Sequence, residues 1–146
     1  MRFLDDVPLY EPRESTELVM DEAEMIAFAT TWDPQPFHVD KAAAATTELG
    51  LFASGLMTVC LALRLSSTLS AEPLAVVAGL GWDEIRFHAP VRAGDRVRAR
   101  SQVVSKRRSE SKPGMGIMVS TIELLNQHGA VVLSLKNSAL VRYAPT

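Results

Sequence analysis

An apolar stretch between Ala53 and Ser70 constrains the fold of this chain more than any other feature. Arg64 is its only charged residue, and methionine or leucine recurs at every fourth position from Met57 onward. This spacing predicts a helix over Leu56–Leu69. A helix that is apolar on most of its surface has to be covered by other parts of the protein. We therefore expect the rest of the chain to wrap around it.

The second half of the chain has the pattern of consecutive β-strands. Four segments rich in Val, Ile and Leu contain stretches in which apolar and polar residues alternate, as in strands with one buried face. The predicted strands are Leu74–Phe87, Arg96–Ser105, Met115–Leu125 and Val131–Tyr143, preceded by a short strand around Glu14–Met20. Turn-forming residues separate them at Pro90–Asp95, Lys112–Gly114 and Asn126–Gly129.

Two shorter helices are predicted ahead of the apolar one. Asp21 and Glu24 have the spacing of a capping box, which marks the start of a helix. This helix should end near Trp32, because the loop predicted at residues 33–40 begins with Asp-Pro. The alanine-rich segment Lys41–Glu48 predicts the second short helix.

A buried helix followed by consecutive antiparallel strands defines the α+β class. We predict a single domain, residues 1–146, in which a curved antiparallel sheet wraps the long apolar helix. A chain of this length can bury one core without disulfides or metal ions. The open edges of such a sheet favour a homodimer or a higher homo-oligomer of dimers.

Charge and cysteine content narrow the range of functions. Fifteen Lys and Arg against seventeen Asp and Glu give a net charge of -2, which argues against a nucleic-acid partner. The single cysteine, Cys60, can form no internal disulfide, which predicts a reducing, cytoplasmic compartment. Within the apolar helix we expect it to be a buried packing residue. No apolar stretch reaches the roughly 20 residues of a membrane span, and the first ten residues do not resemble a signal peptide, so we expect no membrane partner.

The segment Asp33-Pro34-Gln35-Pro36-Phe37-His38 contains the best candidates for acid/base chemistry. A carboxylate and an imidazole stand five residues apart, and two prolines stiffen the chain between them. Because imidazole titrates near neutral pH, His38 can give or take a proton, while Asp33 can orient it or share a water with it. On spacing alone, the commoner interpretation is that Asp33-Pro34 ends a helix and that His38 is an ordinary polar residue of the loop.

Small residues, Ala53-Ser54-Gly55, stand at the predicted start of the apolar helix. They let a ligand approach the backbone, and the N–H groups at the positive end of the helix dipole would stabilise an oxyanion. Ordinary capping by Ser54 is the alternative. His88 and His128 do not have the spacing of metal ligands, so we expect no metal.

Taken together, these motifs resemble one family. Asp33-x-x-x-x-His38-x-Asp40, Ala53-x-Gly55 and Arg86-Phe-x-x-Pro90-Val91-x-x-Gly94-Asp95 occur in that order. From about Asp21 to Tyr143 the chain resembles the MaoC-like, or (R)-specific enoyl-CoA hydratase, branch of the hotdog-fold proteins. The resemblance implies a long helix wrapped by an antiparallel sheet, and a dimer or dimer of dimers. It also implies a pantetheine thioester substrate, most often an acyl-CoA, and no metal or redox cofactor.

The resemblance further implies roles for individual residues. Asp33 and His38 match the catalytic acid/base pair, and Gly55 matches the residue whose backbone N–H receives the thioester carbonyl oxygen. The implied reaction is the reversible addition of water across a 2-enoyl thioester. Asp33 would take a proton from the water while its partner delivers one to the α-carbon, and Gly55 N–H would stabilise the charge on the thioester oxygen.

Four more residues are expected to contact the substrate. We place Ser54, Phe37 and Met57 around the acyl group. Lys112 belongs to a basic cluster, Lys106–Lys112, that suits the phosphates of coenzyme A, although a solvated turn is the simpler interpretation. Gln35 stands where the family commonly has asparagine, and Leu56 follows the glycine where a polar residue is frequent, so the acyl group stays unassigned.

Two alternative functions remain open. Thioesterases of this fold often rely on a carboxylate in or near the central helix, and Ala53–Ser70 contains none, which favours hydration. A non-catalytic subunit that only binds acyl-CoA would keep its ligand affinity when Asp33 and His38 are replaced by alanine.

Overall fold

The apolar helix lies at the centre of the computed structural model, which describes residues 1–145. The helices are α1 (Glu22–Trp32), α2 (Pro36–Val39), α3 (Lys41–Ala44) and α4 (Gly55–Ser66). Helix α4 is the predicted apolar helix, and it ends three residues before the predicted Leu69. Its buried face, which includes Met57, Leu61 and Leu65, packs against the sheet.

The opposite face of α4 is open to solvent. Leu56 is about half exposed and Cys60 is exposed, so the prediction that Cys60 is a buried packing residue is wrong. The apolar pattern of α4 continues around most of its circumference and therefore could not identify the uncovered side.

Helix α1 forms as the capping signal predicts. The Asp21 carboxylate accepts a hydrogen bond from Glu24 N–H at 3.0 Å, and the helix ends at Trp32. The segment 33–40, predicted to be a loop, contains the single-turn helix α2, because Pro36 occupies its first position, where its ring and missing N–H fit a helix start. Asp40 then caps α3 by accepting from Ala42 and Ala43 N–H.

The four long strands are confirmed. The strands are β1 (Arg13–Glu14), β2 (Leu18–Val19), β3 (Val76–Phe87), β4 (Arg96–Arg108), β5 (Met115–Leu125) and β6 (Val131–Arg142). They form an antiparallel sheet in the order β1-β4-β5-β6-β3, with β2 also paired to β4. The predicted leading strand is thus divided into two short pieces on the same neighbour.

The core lies on the concave face of this sheet in two clusters. The larger cluster joins α4 to the inner residues of β4, β5 and β6. The smaller one surrounds Leu4 and Met118 near the other end of the sheet. Strand β3 differs from the others because almost all its side chains are exposed, including Val76, Leu80 and Trp82. Within residues 1–145, no helix is long and apolar enough to cross a membrane.

Candidate active site

Three chain segments meet at the amino-terminal end of α4. Asp33 terminates α1, where its N–H donates to Ala29 C=O at 2.8 Å. His38 lies on α2, and Ser54 is the N-cap residue of α4. The residues that end one helix and begin another thereby supply the polar groups of the site.

The structure brings Asp33, His38 and Ser54 together. The Asp33 Oδ2 atom lies 3.5 Å from His38 Nε2 and accepts a hydrogen bond from the Ser54 hydroxyl at 2.6 Å. His38 is only 5% exposed and Ser54 is fully buried, whereas about a quarter of the Asp33 side chain remains exposed. Asp33 is therefore the member of the group that a ligand can reach most easily.

The hydrogen-bond partners fix which imidazole nitrogen can exchange a proton. His38 Nδ1 lies 2.8 Å from the Phe52 carbonyl oxygen. A carbonyl only accepts hydrogen bonds, so Nδ1 must carry a hydrogen in both the neutral and the cationic imidazole. Nε2, which faces Asp33, is therefore the nitrogen that gains or loses a proton.

The Ser54 hydroxyl is fixed by the same reasoning. Its oxygen accepts a hydrogen bond from Leu56 N–H at 3.2 Å as the cap of α4. Its hydrogen points to Asp33, because an ionised carboxylate can only accept. Ser54 thus holds the carboxylate against the start of α4, and its predicted contact with substrate stays a prediction.

Two phenyl rings hold the imidazole of His38. The Phe37 ring meets it edge-on with the ring centres 4.5 Å apart, and the Phe52 ring does so at 4.7 Å. The two phenyl rings also stack at 5.5 Å. Phe37 thus packs against His38 and Phe52, and its predicted contact with the substrate stays a prediction.

A cavity of about 480 Å³ opens beside this group. Asp33, Gly55, Leu56, Phe52 and Phe87 are among the residues that line it. Position 55 accommodates only glycine without rearrangement, because a Cβ atom there would lie 2.7 Å from the Phe87 ring. The Gly55 N–H is in the first turn of α4, where backbone donors have no partner within the helix.

The turn predicted at Pro90–Asp95 contacts the segment that leads into α4 and so supports the site. Ala53 N–H donates to Val91 C=O at 2.8 Å, which fixes the segment entering α4. The Asp95 carboxylate closes the turn by accepting from Arg92 N–H at 2.8 Å, and Gly94 adopts a φ of +85° that favours glycine.

Other predicted residues lie elsewhere. Met57 is buried in the core under α4 and does not line this cavity. Lys112 lies in the β4–β5 turn, at the opposite end of that strand pair from Pro90. Lys106 donates to the Leu4 and Val7 carbonyl oxygens.

Sequence reasoning missed several residues that line the cavity. Phe52 and Leu56 were not proposed for the cavity, although both flank the motif Ala53-Ser54-Gly55. His88 also lines the cavity and bonds Ser134 Oγ at 2.7 Å. Within residues 1–145, no three His, Cys, Asp or Glu side chains are grouped as a metal site would require.

Comparison with known proteins agrees with this fold. The MaoC-like domain family matches residues 6–123. The crystal structure of a MaoC-like dehydratase from Rhodospirillum rubrum is 33% identical, covers 100% of both chains and superposes with a TM-score of 0.89. The chain therefore belongs to the MaoC-like domain family, and the long helix wrapped by an antiparallel sheet is a hotdog fold.

Two relatives are a hydratase and a dehydratase. The (R)-hydratase from A. caviae involved in PHA biosynthesis is 26% identical, with 95% of this chain and 98% of that one covered and a TM-score of 0.71. The 3-hydroxyacyl-thioester dehydratase Z of Mycobacterium tuberculosis is 40% identical over 91 residues, which is 60% of this chain. The match spans 58% of that dehydratase. Both names describe the hydration or dehydration reactions of the family.

Proposed function

We propose that this protein adds water reversibly to 2-enoyl thioesters, which is the reverse of dehydrating 3-hydroxyacyl thioesters. One observation carries the proposal: Asp33 Oδ2 and His38 Nε2, the two atoms able to exchange protons, face each other 3.5 Å apart beside an open cavity. A water molecule next to both atoms would be oriented by two protein groups at once.

The proton transfers balance across the pair. Asp33 takes a proton from the water as its oxygen attacks the β-carbon of the enoyl group. Nε2 of a cationic His38 delivers a proton to the α-carbon, which completes the addition. The proton on Asp33 then crosses to Nε2 and restores the starting state. Because hydration transfers no electrons to or from the protein, the proposed reaction needs no redox cofactor, and the coenzyme A or pantetheine group belongs to the substrate.

Gly55 is the proposed oxyanion donor. Negative charge develops on the thioester oxygen when water attacks, and a backbone N–H at a helix start can stabilise it without reorganising. Gly55 lines the cavity together with Asp33, so one substrate can meet both groups. The apolar rings of Phe52 and Phe87 fit the hydrocarbon part of the acyl group.

The direct test follows absorbance of the conjugated enoyl thioester with crotonyl-CoA and longer or branched enoyl-CoAs. We expect the wild-type protein to hydrate at least one of them and Asp33→Asn to be slower by a factor of about 100 or more. The control is Asp40→Asn, the same change at an exposed cap of α3, where asparagine still caps the helix. Release of free thiol without hydration would establish the thioesterase alternative, and ligand binding without either reaction would establish the non-catalytic one.

We also propose a homodimer built on strand β3. This edge strand is 12 residues long and exposes Val76, Leu80, Trp82 and Phe87, each about half accessible. An antiparallel pairing of β3 with its copy would be two-fold symmetric and would cover the open edge. Since Phe87 belongs both to β3 and to the cavity, the second copy would lie next to the active site. Sedimentation should give a dimer that Leu80→Lys dissociates, and a monomeric wild-type protein would refute this assembly.

A further inference from the structure

A second cavity, of about 470 Å³, lies at the carboxyl-terminal end of α4. Leu63 and Ser66 of α4 line one side, and the inner face of β5 and β6 forms the floor. It is separate from the active-site cavity on this chain, because the two lie at opposite ends of a 12-residue helix about 18 Å long.

The floor of this cavity carries a polar pair on an otherwise apolar face. Ser120 and Asn137 are direct partners across β5 and β6, and both line the cavity. The neighbouring pairs on the same face are entirely apolar and buried: Met118 with Ala139, and Ile122 with Leu135. The polar pair also falls between the two core clusters, at the point where the core is interrupted.

These two side chains have unused hydrogen-bonding capacity. Ser120 is only 5% exposed, yet among residues 1–145 its hydroxyl and the Asn137 carboxamide form no hydrogen bond to another protein group. No side-chain polar atom of the described residues is both sealed off and unpartnered, so these groups open onto the cavity. Polar groups that face a cavity and have no protein partner are available to bond a ligand that enters it.

The charges around the cavity indicate what such a ligand carries. Arg2 donates to Ser70 Oγ at 3.1 Å and to the Asp6 carbonyl oxygen at 3.0 Å, both neutral acceptors. Arg13 pairs with Glu11 at 3.5 Å, and Glu72 pairs with the amino terminus at 3.4 Å, so the charged side chains that line the cavity all have protein partners. Ser120 and Asn137 are neutral and can both donate and accept. An ion at the floor would be buried without a counter-charge, whereas a neutral hydrogen-bonding group would be satisfied.

We propose that this cavity binds a ligand with an apolar body and an uncharged hydrogen-bonding end, such as a hydroxyl, carbonyl or carboxamide. The polar end contacts Ser120 and Asn137, and the apolar body lies against Leu63, Val103 and Ile122. The same chemistry can arrive on a free molecule or as the polar end of an acyl chain.

Octanamide is a suitable probe, titrated against the full-length protein labelled with nitrogen-15 and observed by NMR. We expect saturable shifts of the Asn137 side-chain amide and the Ser120 backbone amide. Octanoate, which has the same chain length and a charge, should bind at least about tenfold more weakly because its charge has no partner. Asn137→Leu and Ser120→Ala should weaken octanamide binding by a similar factor. Ser138→Ala, the same change on the opposite face of β6, should leave it unchanged.

Several results would overturn the proposal that this cavity binds such a ligand. They are the absence of saturable shifts, equal binding of octanamide and octanoate, or shifts confined to Gly55 and Leu56 at the other cavity. The NMR spectrum of each variant shows directly whether it is folded.

A second arm with ω-hydroxyoctenoyl-CoA identifies the source of the ligand. Displacement of octanamide by this thioester assigns the cavity to an acyl tail, and no displacement assigns it to a free molecule. Only this arm rests on the proposed function. Octanamide binding can therefore succeed where hydration fails, and the reverse.

Discussion

The polar groups at the two ends of helix α4 differ in whether they have hydrogen-bond partners on the protein. At the amino-terminal end, Ser54 and His38 are buried with their hydrogen-bond partners on the protein. At the carboxyl-terminal end, Ser120 and Asn137 face a cavity with no protein partner in the described chain. In a catalytic site the reacting groups have to be held in position before the substrate binds, whereas the polar groups of the proposed ligand site have no protein partner and can bond a ligand. One apolar helix thus separates two kinds of pocket.

The largest expected effect is at the amino-terminal end. His38→Gln removes the nitrogen that exchanges a proton, and we expect kcat for enoyl-CoA hydration to fall by a factor of about 100 to 10,000. The matched control is His128→Gln, in the exposed turn before β6, which should keep the wild-type rate. Wild-type activity in His38→Gln would remove the imidazole from the mechanism.

The next largest effect is expected at the backbone N–H of Gly55. Gly55→Pro deletes the N–H at the first position of α4, where proline is tolerated in helices. Gly55→Ala keeps that N–H but introduces the same contact with the Phe87 ring. We expect kcat for Gly55→Pro to be about 100-fold below that of Gly55→Ala. Equal rates in the two variants would show that this N–H does not stabilise the oxyanion.

A smaller effect is expected from the hydroxyl that holds Asp33. Ser54→Gly keeps most of the capping of α4 and loses the hydrogen bond to the carboxylate. We expect kcat to fall about tenfold with little change in KM, which corresponds to roughly 1.4 kcal/mol. Asp21→Gly makes the same change at the cap of α1 and should not alter kcat. A changed KM at constant kcat would instead place Ser54 in substrate binding, as its sequence position suggests.

The smallest expected effects are changes in thermal stability, and they have opposite signs at the two ends of α4. Ser54→Ala should lower the midpoint of thermal unfolding by several degrees, because a cap and a buried hydrogen bond are lost together. Asn137→Leu should raise it by about 1 to 3 °C, since an apolar side chain fits the surrounding apolar pairs better. A decrease for Asn137→Leu in differential scanning calorimetry would mean that Asn137 has a structural role at the sheet.

Periodicity predicted the fold better than it predicted the contacts of the site. The four long strands and α4 follow from repeating apolar positions, which record burial directly. The same signal failed for Cys60, because α4 is apolar on its exposed side as well as its buried side. The two prolines of residues 33–40 predict a loop, but Pro36 occupies the first position of helix α2, where proline is also favoured.

Residues close in sequence to a motif were the hardest to place. Phe37 and Met57 each adjoin or closely follow a candidate catalytic residue, yet one packs behind His38 and the other points into the core. On a helix, a change of one or two positions turns a side chain to another face, which a motif does not record. Lys112 lies the length of strand β4 away from the turn at Pro90–Asp95 that supports the site. The roles of Asp33, His38 and Gly55 stay predictions until the variants are measured.

The bond between Ser54 and Asp33 also has a consequence for refolding. It joins residues 21 positions apart on two different helices, so it can form only after α1 has docked against α4. Each helix can become helical earlier, because its turns depend on local contacts that form within microseconds. After dilution from denaturant, the helical circular dichroism signal should therefore recover before the proposed hydratase activity does. In this protein the time at which catalysis recovers would report a late step in the assembly of the native structure.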